Sequence, residues 1–433
     1  MSAQPASAPR VFIDTLGCAK NETDSRQMAE RLKGAGMRLA DDAQMSDVII
    51  VNTCSFIRQA TEESIEAVLD ALGVKGEDGC APQVIVAGCM PARYGKELEA
   101  SIPEAASFLP CSQEDDVVEA VCSLTGWAPE AKDAQERAFA PFAYLKISDG
   151  CDRWCSFCTI PQIRGRYHSF PPEDILTEAQ NLAEAGAREL VLIGQDTGIW
   201  GHDLPGSHDL AWLLGRLADE LPHVRFRVMY TEPEGVTDAL LNVMSARSNI
   251  CRYLDIPLQH VSPRVLAAMR RSGSGEAFRE LVGRIRAQVP DITLRTTLMC
   301  GFPGETEDES EELISFVREA LFDYVGVFAY SQEEGTKAAL MEDQVPEDVK
   351  EMRARELRDE ADSVSAALVA ARTGSRMRVL VEGAEEDGQL YGRADCQAPE
   401  VDGVTYVDAG KPGQLVEALI DDALLYDMEG TVL

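Results

Sequence analysis

Basic residues are scarce in this chain. Its 433 residues hold 40 Lys and Arg against 74 Asp and Glu, a formal charge of −34. That balance argues against a protein whose affinity rests on neutralising nucleic-acid phosphates, although it leaves room for a local basic patch. Histidine is scarcer still: five, scattered without paired spacing, leave a histidine-based zinc site unsupported. No apolar run approaches the roughly eighteen residues of a membrane span, so no membrane partner is expected. The opening MSAQPASAPR has neither a charged start nor an apolar core and does not read as a secretory signal. Residues 1–9 are expected to be a disordered leader, and no long repeat or further low-complexity tract follows.

What is present is 45% apolar content, ample for packed cores, in a length that suggests about three domains. Twelve cysteines in a long, cytoplasmic-looking chain are not a disulfide framework; in a reducing compartment they point to metal or redox chemistry. Three β-branched runs, VFID at 11–14, VIIV at 48–51 and VIVA at 84–87, alternate with helical pattern near 23–35, 59–72 and 94–100. Such alternation predicts an α/β, doubly wound parallel sheet over 10–127. A Pro- and Ala-bearing stretch at 128–140 reads as a linker. Six strand candidates then follow, near 144–148, 189–193, 224–229, 253–256, 292–298 and 324–330. They are too few for an eight-stranded barrel and predict an open, partial (βα)6 barrel over 141–373, ending in a long charged helix over 347–373. From 374 to 433, short glycine-bearing strands (MRVLVEG, QLYGRAD, LVEALI) predict a small antiparallel β-barrel.

The strongest motif is Cys151-Asp152-Arg153-Trp154-Cys155-Ser156-Phe157-Cys158, a C-x3-C-x2-C run just after the first strand of the partial barrel. A loop at the carboxyl end of a βα unit is where such a fold carries functional groups. Three soft thiolates suit an iron–sulfur cluster and leave one iron without a protein donor, an open position of the kind a catalytic metal site needs. Zinc is the alternative, but a closed zinc site wants a fourth ligand, and none lies nearby in the sequence. A second triplet is spread out: Cys18, Cys54 and Cys89, 36 and 35 residues apart. Each follows one of the three N-terminal strands, whose carboxyl ends share one edge in an open parallel sheet. Two readings stay open for it, a second cluster or three buried cysteines capping strands. Gly17 and Gly88 would allow close backbone approach.

The C-x3-C-x2-C loop on six βα units resembles the radical S-adenosylmethionine superfamily. LGCAKNETDS (16–25), VNTCSFI (51–57), AGCMPARY (87–94), GCDRWCSFCTIPQIRGRY (150–167) and a terminal barrel similar to a TRAM domain together resemble the methylthiotransferase family. The resemblance implies two 4Fe–4S clusters, one on Cys151, Cys155 and Cys158 and an auxiliary one on Cys18, Cys54 and Cys89. It also implies S-adenosyl-L-methionine as both methyl donor and radical source, and a flavodoxin-like electron donor. Phe157 matches the position of an aromatic residue against the adenine. Gln195, Asp196 and Arg227, at or near strand ends, match positions that contact S-adenosylmethionine. No catalytic side chain is assigned beyond the cluster ligands.

Within that family, enzymes modify either tRNA adenosine or an aspartate of ribosomal protein uS12. Leu16-Gly17-Cys18-Ala19-Lys20-Asn21 and Asp255-Ile256-Pro257-Leu258-Gln259-His260 are similar to the ribosomal branch. The charge of residues 374–433 agrees: four basic residues against thirteen acidic, a net −9, would repel tRNA and attract a basic ribosomal protein. uS12 is therefore the expected substrate and tRNA the disfavoured one. Two departures stand out, Arg26 where the family has Glu and a stretch from Arg166 to Phe170 without arginines usual near 168 and 170. His260 is expected to be structural, and Cys80, Cys111, Cys122, Cys251, Cys300 and Cys396 to be buried small side chains or surface thiols. Glu307-Asp308-Glu309 reads as a first helical turn behind Thr306.

Overall fold

A computed structural model of the chain describes residues 8–76, 79–129, 139–319 and 321–433. Most of the expected leader and linker lies outside them. The described residues form two compact units. One comprises 8–129 with 150–152 and 158–166; the other comprises 139–149, 153–157 and 167–433. The cysteine run is thus divided, Cys151 and Cys158 belonging to the first unit and Cys155 to the second.

The first unit is built on a five-stranded parallel sheet: β1 Arg10–Thr15, β2 Arg38–Leu39, β3 Val48–Thr53, β4 Gln83–Gly88 and β5 Ser107–Pro110, in the order β2-β1-β3-β4-β5. Every residue of β3 is buried, as befits a central strand covered on both faces. The expected strands appear at their places. β2 and β5 were not expected, because two and four residues are too short to show a pattern. The helical pattern near 94–100 resolves into two helices, Cys89–Tyr94 and Lys96–Ser101, broken at Gly95.

In the second unit β6 Phe142–Lys146 leads into β7 Ser148–Asp149, which pairs with β8 His168–Ser169 across the cysteine loop. β9 Glu189–Ile193, β10 Arg225–Val228, β11 Ile250–Asp255, β12 Thr293–Cys300 and β13 Tyr324–Ala329 complete a six-stranded sheet ordered β13-β12-β11-β10-β9-β6. All its pairings are parallel, giving the open partial barrel expected. Its helices pack one large core, in which Leu190, Leu192, Phe226, Leu254 and Leu294 are wholly buried. Thr306 and Glu309 form a reciprocal capping box that starts the helix Glu307–Arg318. Glu309 has a further task, since it also accepts from Ser262 and Arg264.

The chain ends in a closed barrel of β14 Arg376–Ala384, β15 Leu390–Ala394, β16 Thr405–Val407, β17 Leu415–Leu424 and β18 Asp427–Val432. It is not wholly antiparallel as expected: β16 and β18 pair in parallel and close it. Nor is it a separate body, because buried charges stitch it to the amino ends of β9 and β10. Glu189 accepts from Arg225 Nε at 2.5 Å, Arg227 Nε at 2.9 Å and Arg393 Nη1 at 2.9 Å, while Arg227 Nη1 donates to the Asp395 carbonyl at 3.0 Å. Burial opposes ionisation of Glu189, but the three arginines, Arg225 foremost, outweigh it and hold its carboxyl well below the usual range. Removing one member of so buried a set costs about 3–5 kcal/mol. No helix among the described residues is long and apolar enough to cross a membrane.

Candidate functional site

In the first unit the three scattered cysteines meet. Cys18 follows β1 and caps the helix Ala19–Gly34, Cys54 follows β3, and Cys89 follows β4 at the start of its helix. Asn21, wholly buried, stands among them: its Oδ1 lies 3.6 Å from Cys18 Sγ and 3.9 Å from Cys89 Sγ. The amide is fixed from behind, Nδ2 donating to the Thr53 carbonyl at 2.9 Å. Asn52 Nδ2 donates to the Asn21 carbonyl at 2.9 Å. Gly17 and Gly88 make the approach possible. Both have positive φ, +100° and +93°; an added Cβ would stand 2.6 Å from Cys54 Cβ at the first and 2.3 Å from Asn52 Oδ1 at the second. Cys54 and Cys89 are buried and Cys18 is exposed, so one side of the site opens to solvent.

Arg164, eight-tenths of the way through the GCDRWCSFCTIPQIRGRY segment, belongs to the same unit. Its side chain is 2% exposed, donates to Asp24 Oδ2 at 2.7 Å, and places Nη2 3.8 Å from Cys89 Sγ. Burial pushes the Cys54 and Cys89 thiols up, with Arg164 the main opposing charge on Cys89. Thiolates in such a place need a bound cation or a fixed positive charge to persist. Cys111, expected to have no part here, lies electrostatically within reach of Cys89, its Sγ 3.2 Å from the Ile163 carbonyl.

In the second unit Cys155 stands at the carboxyl edge of the six-stranded sheet. Ser156 pins the loop: its N–H donates to the Met269 carbonyl at 3.0 Å and its hydroxyl to the Ala268 carbonyl at 2.8 Å. Arg271 donates to both oxygens of Glu232 and to the Pro257 carbonyl, and its Nη1 lies 3.8 Å from Cys155 Sγ. Burial raises the Cys155 thiol and Arg271 opposes the rise. Arg153 donates to Asp196 Oδ2 at 2.6 Å and to Glu234 Oε2 at 3.2 Å. Of the seven non-glycine residues with positive φ in this unit, Trp154 lies in the cysteine loop, Tyr230 and Gln259 just beyond β10 and β11, and Arg270 beside Arg271. Backbone strain of that kind concentrates where function demands a fixed geometry.

The expected ligand contacts divide. Gln195 and Asp196 stand beyond the end of β9, and each keeps one buried oxygen without a hydrogen-bond partner, Gln195 Oε1 and Asp196 Oδ1. Gln195 Nε2 is fixed by Asp149 Oδ1 at 2.9 Å. Unsatisfied buried acceptors on one strand end fit a ligand that brings donors, such as an ammonium or a ribose hydroxyl. Burial raises Asp196, and Arg153 opposes that rise. Phe157 is half-buried against the barrel core. Arg227 is a correction: it is wholly buried and committed to Glu189 and the Asp395 and Ala394 carbonyls, at the amino end of the strands rather than at this edge. The family likeness matched it only by position, and its side chain is spent instead on the buried charges around Glu189. His260 is structural as expected, fully buried with Nδ1 accepting from the Val261 and Ser262 amides.

Among the described residues no three His, Cys, Asp or Glu side chains crowd closely enough to hold a single metal ion. Cluster ligands stand farther apart than that, because each binds a different iron. Open thiol triplets with cationic neighbours are the donor chemistry that iron–sulfur clusters take.

Comparison with known proteins assigns each region. Residues 10–110 match the uncharacterized protein family UPF0004, 145–317 the radical SAM superfamily and 373–433 the TRAM domain. The chain is 42% identical over 439 residues to ribosomal protein uS12 methylthiotransferase RimO of Anaeromyxobacter sp. (strain Fw109-5), covering 98% of this chain and 93% of that one. It is 41% identical over 449 residues to the protein of the same name from Syntrophus aciditrophicus (strain SB), covering 98% of each. Among solved structures it resembles the radical S-adenosylmethionine methyltransferase TsrM from Kitasatospora setae, with a TM-score of 0.54 at 14% identity over 74% of this chain and 75% of that one. The cobalamin-dependent radical enzyme OxsB gives a TM-score of 0.51 at 12% identity, over 82% of this chain and 56% of that one. At those identities the likeness speaks for the fold alone.

Proposed function

The chain belongs to the ribosomal protein uS12 methylthiotransferase family, and from that premise we propose that it attaches a methylthio group to the β-carbon of an aspartate in uS12. The reaction uses S-adenosylmethionine and two 4Fe–4S clusters, one on Cys151, Cys155 and Cys158 and one on Cys18, Cys54 and Cys89. The convergence of three strand-end cysteines about Asn21 carries this reading, because a radical enzyme that only abstracts hydrogen has no need of a second thiol site. When bound, the cluster and S-adenosylmethionine supply one-electron chemistry that removes hydrogen from an unactivated carbon, which no acid–base side chain can do. The protein's own part is to hold and orient. Gln195 and Asp196 offer acceptors to the ligand, Arg153 fixes Asp196, and the Ser156 amide and hydroxyl fix the loop that carries Cys155. A flavodoxin-like protein supplies electrons, and work on a ribosomal protein locates the enzyme in the cytoplasm.

The terminal barrel favours a basic protein over tRNA, and the ion pairs within it leave that preference in place. Of its four basic residues Arg393 is buried against Glu189, and Arg378 is held by Asp395 at 2.7 Å. Arg376 and Lys411 remain, and of the thirteen acidic residues Glu382, Asp395 and Asp402 are paired with arginines, so the acidic excess stands. The test is to incubate the reduced enzyme and S-adenosylmethionine separately with uS12 and with tRNA, then weigh the products. A methylthio gain on uS12 alone is expected; a gain on tRNA alone overturns the assignment.

A further inference from the structure

We propose that Arg164 and Arg271 are matched positioning residues, each holding a permanent positive charge against one ligand sulfur and thereby raising the reduction potential of the cluster there. The inference rests on the two-cluster reading above. The two arrangements lie in different units and share no sequence pattern, yet they are built alike. Each guanidinium is nearly buried, with side-chain exposures of 2% for Arg164 and 8% for Arg271. Each is anchored by a buried carboxylate, Asp24 in one case and Glu232 in the other. Each places an Nη 3.8 Å from one cysteine sulfur, Cys89 or Cys155. Each makes a further contact through Nη2, Arg164 to Asn21 Oδ1 at 3.4 Å and Arg271 to the Pro257 carbonyl at 2.6 Å.

The physical case starts from cost. Burying an ion pair gains little over packing apolar groups in its place, so two such pairs beside two cysteine sites call for a purpose beyond stability. Reduction adds negative charge to a cluster. A fixed cation in a poorly screened interior stabilises the reduced form more than the oxidised one, and hydrogen bonds to the sulfurs and local charge are what set cluster potentials. Arginine suits the role because it does not lose its proton beside a thiolate, as a buried lysine can. The carboxylate behind each guanidinium keeps it aimed at the sulfur: Asp24 takes Arg164 Nη1 and leaves Nη2 to Cys89, while Arg271 Nη1 serves both Glu232 Oε1 and Cys155, having two hydrogens to give.

The experiment isolates each site in the full-length protein. Cys151→Ala/Cys155→Ala/Cys158→Ala leaves the N-terminal triplet, into which Arg164→Gln and Arg164→Lys are introduced. Cys18→Ala/Cys54→Ala/Cys89→Ala leaves the loop site, for Arg271→Gln and Arg271→Lys. Midpoint potentials are read by redox titration followed by electron paramagnetic resonance, and iron content is measured alongside. The expected result is a more negative potential in each Gln variant and a potential near the parent's in each Lys variant. Equal potentials in Gln variant and parent, or equal shifts in Gln and Lys, overturn the proposal. Where a Gln variant loses its iron, retention in the Lys variant supports the role of charge, and loss in both overturns it in favour of packing. These potentials need no substrate, so they stand or fall apart from the uS12 assay.

Discussion

Cys151, Cys155 and Cys158 arrive within eight consecutive residues, whereas Cys18, Cys54 and Cys89 are brought from three strands of one sheet. The first triplet depends on the local path of a loop pinned by Ser156, the second on the register of a whole parallel sheet. Each set has an arginine at one sulfur, and of the six thiols only Cys18 is exposed. The difference teaches that one donor chemistry can be specified by spacing or by topology, and that the topological version is the more exposed to backbone error.

Four substitutions test how far that contrast extends. Cys155→Ala is expected to abolish S-adenosylmethionine cleavage while leaving iron at the N-terminal triplet; unchanged formation of 5′-deoxyadenosine would end the assignment of the loop site. Cys89→Ala is expected to do the converse, stopping methylthio transfer to uS12 while cleavage continues, as chromatography of the products would reveal. Gly17→Ala probes the topological site alone. Its left-handed backbone costs a side chain about 1–2 kcal/mol, and the new Cβ would meet Cys54. In protein lacking the loop cysteines it should lower bound iron severely, and full iron would mean that the sheet edge tolerates what its geometry forbids. Asp196→Asn should raise the dissociation constant for S-adenosylmethionine by about tenfold, the scale of one hydrogen bond to a charged group. Calorimetry showing no change would move Asp196 out of the ligand's reach.

The long strands were legible because β-branched runs such as VIIV and ELVLI have no other comfortable home than a covered parallel sheet. β2, β5 and β16 were not, because two to four residues carry no period, and β18 was hidden by its glycine and charges. The six cysteines could be named from motif and family likeness. Their arginines could not: Arg164 and Asp24 are 140 residues apart, Arg271 and Glu232 39 apart, and Arg153 and Asp196 43 apart. Arg227 was assigned by its match to a family position, which does not record where the side chain leads. Alternation along β10 tells which face a side chain takes, but not toward which end of the strand a long one leans.

Sequence by itself determined the longer strands and helices and their parallel alternation, because periodicity and strand length are properties of neighbours along the chain; the cysteine sets it offered by motif and by family likeness. Tertiary structure alone decided which buried charges compensate one another. Glu189 holds three arginines from two architectures, and Asp24 and Glu232 each aim one arginine at a sulfur. An ion loses its water only where a counter-ion is waiting, and that counter-ion is supplied by proximity in space, which no local pattern of residues records.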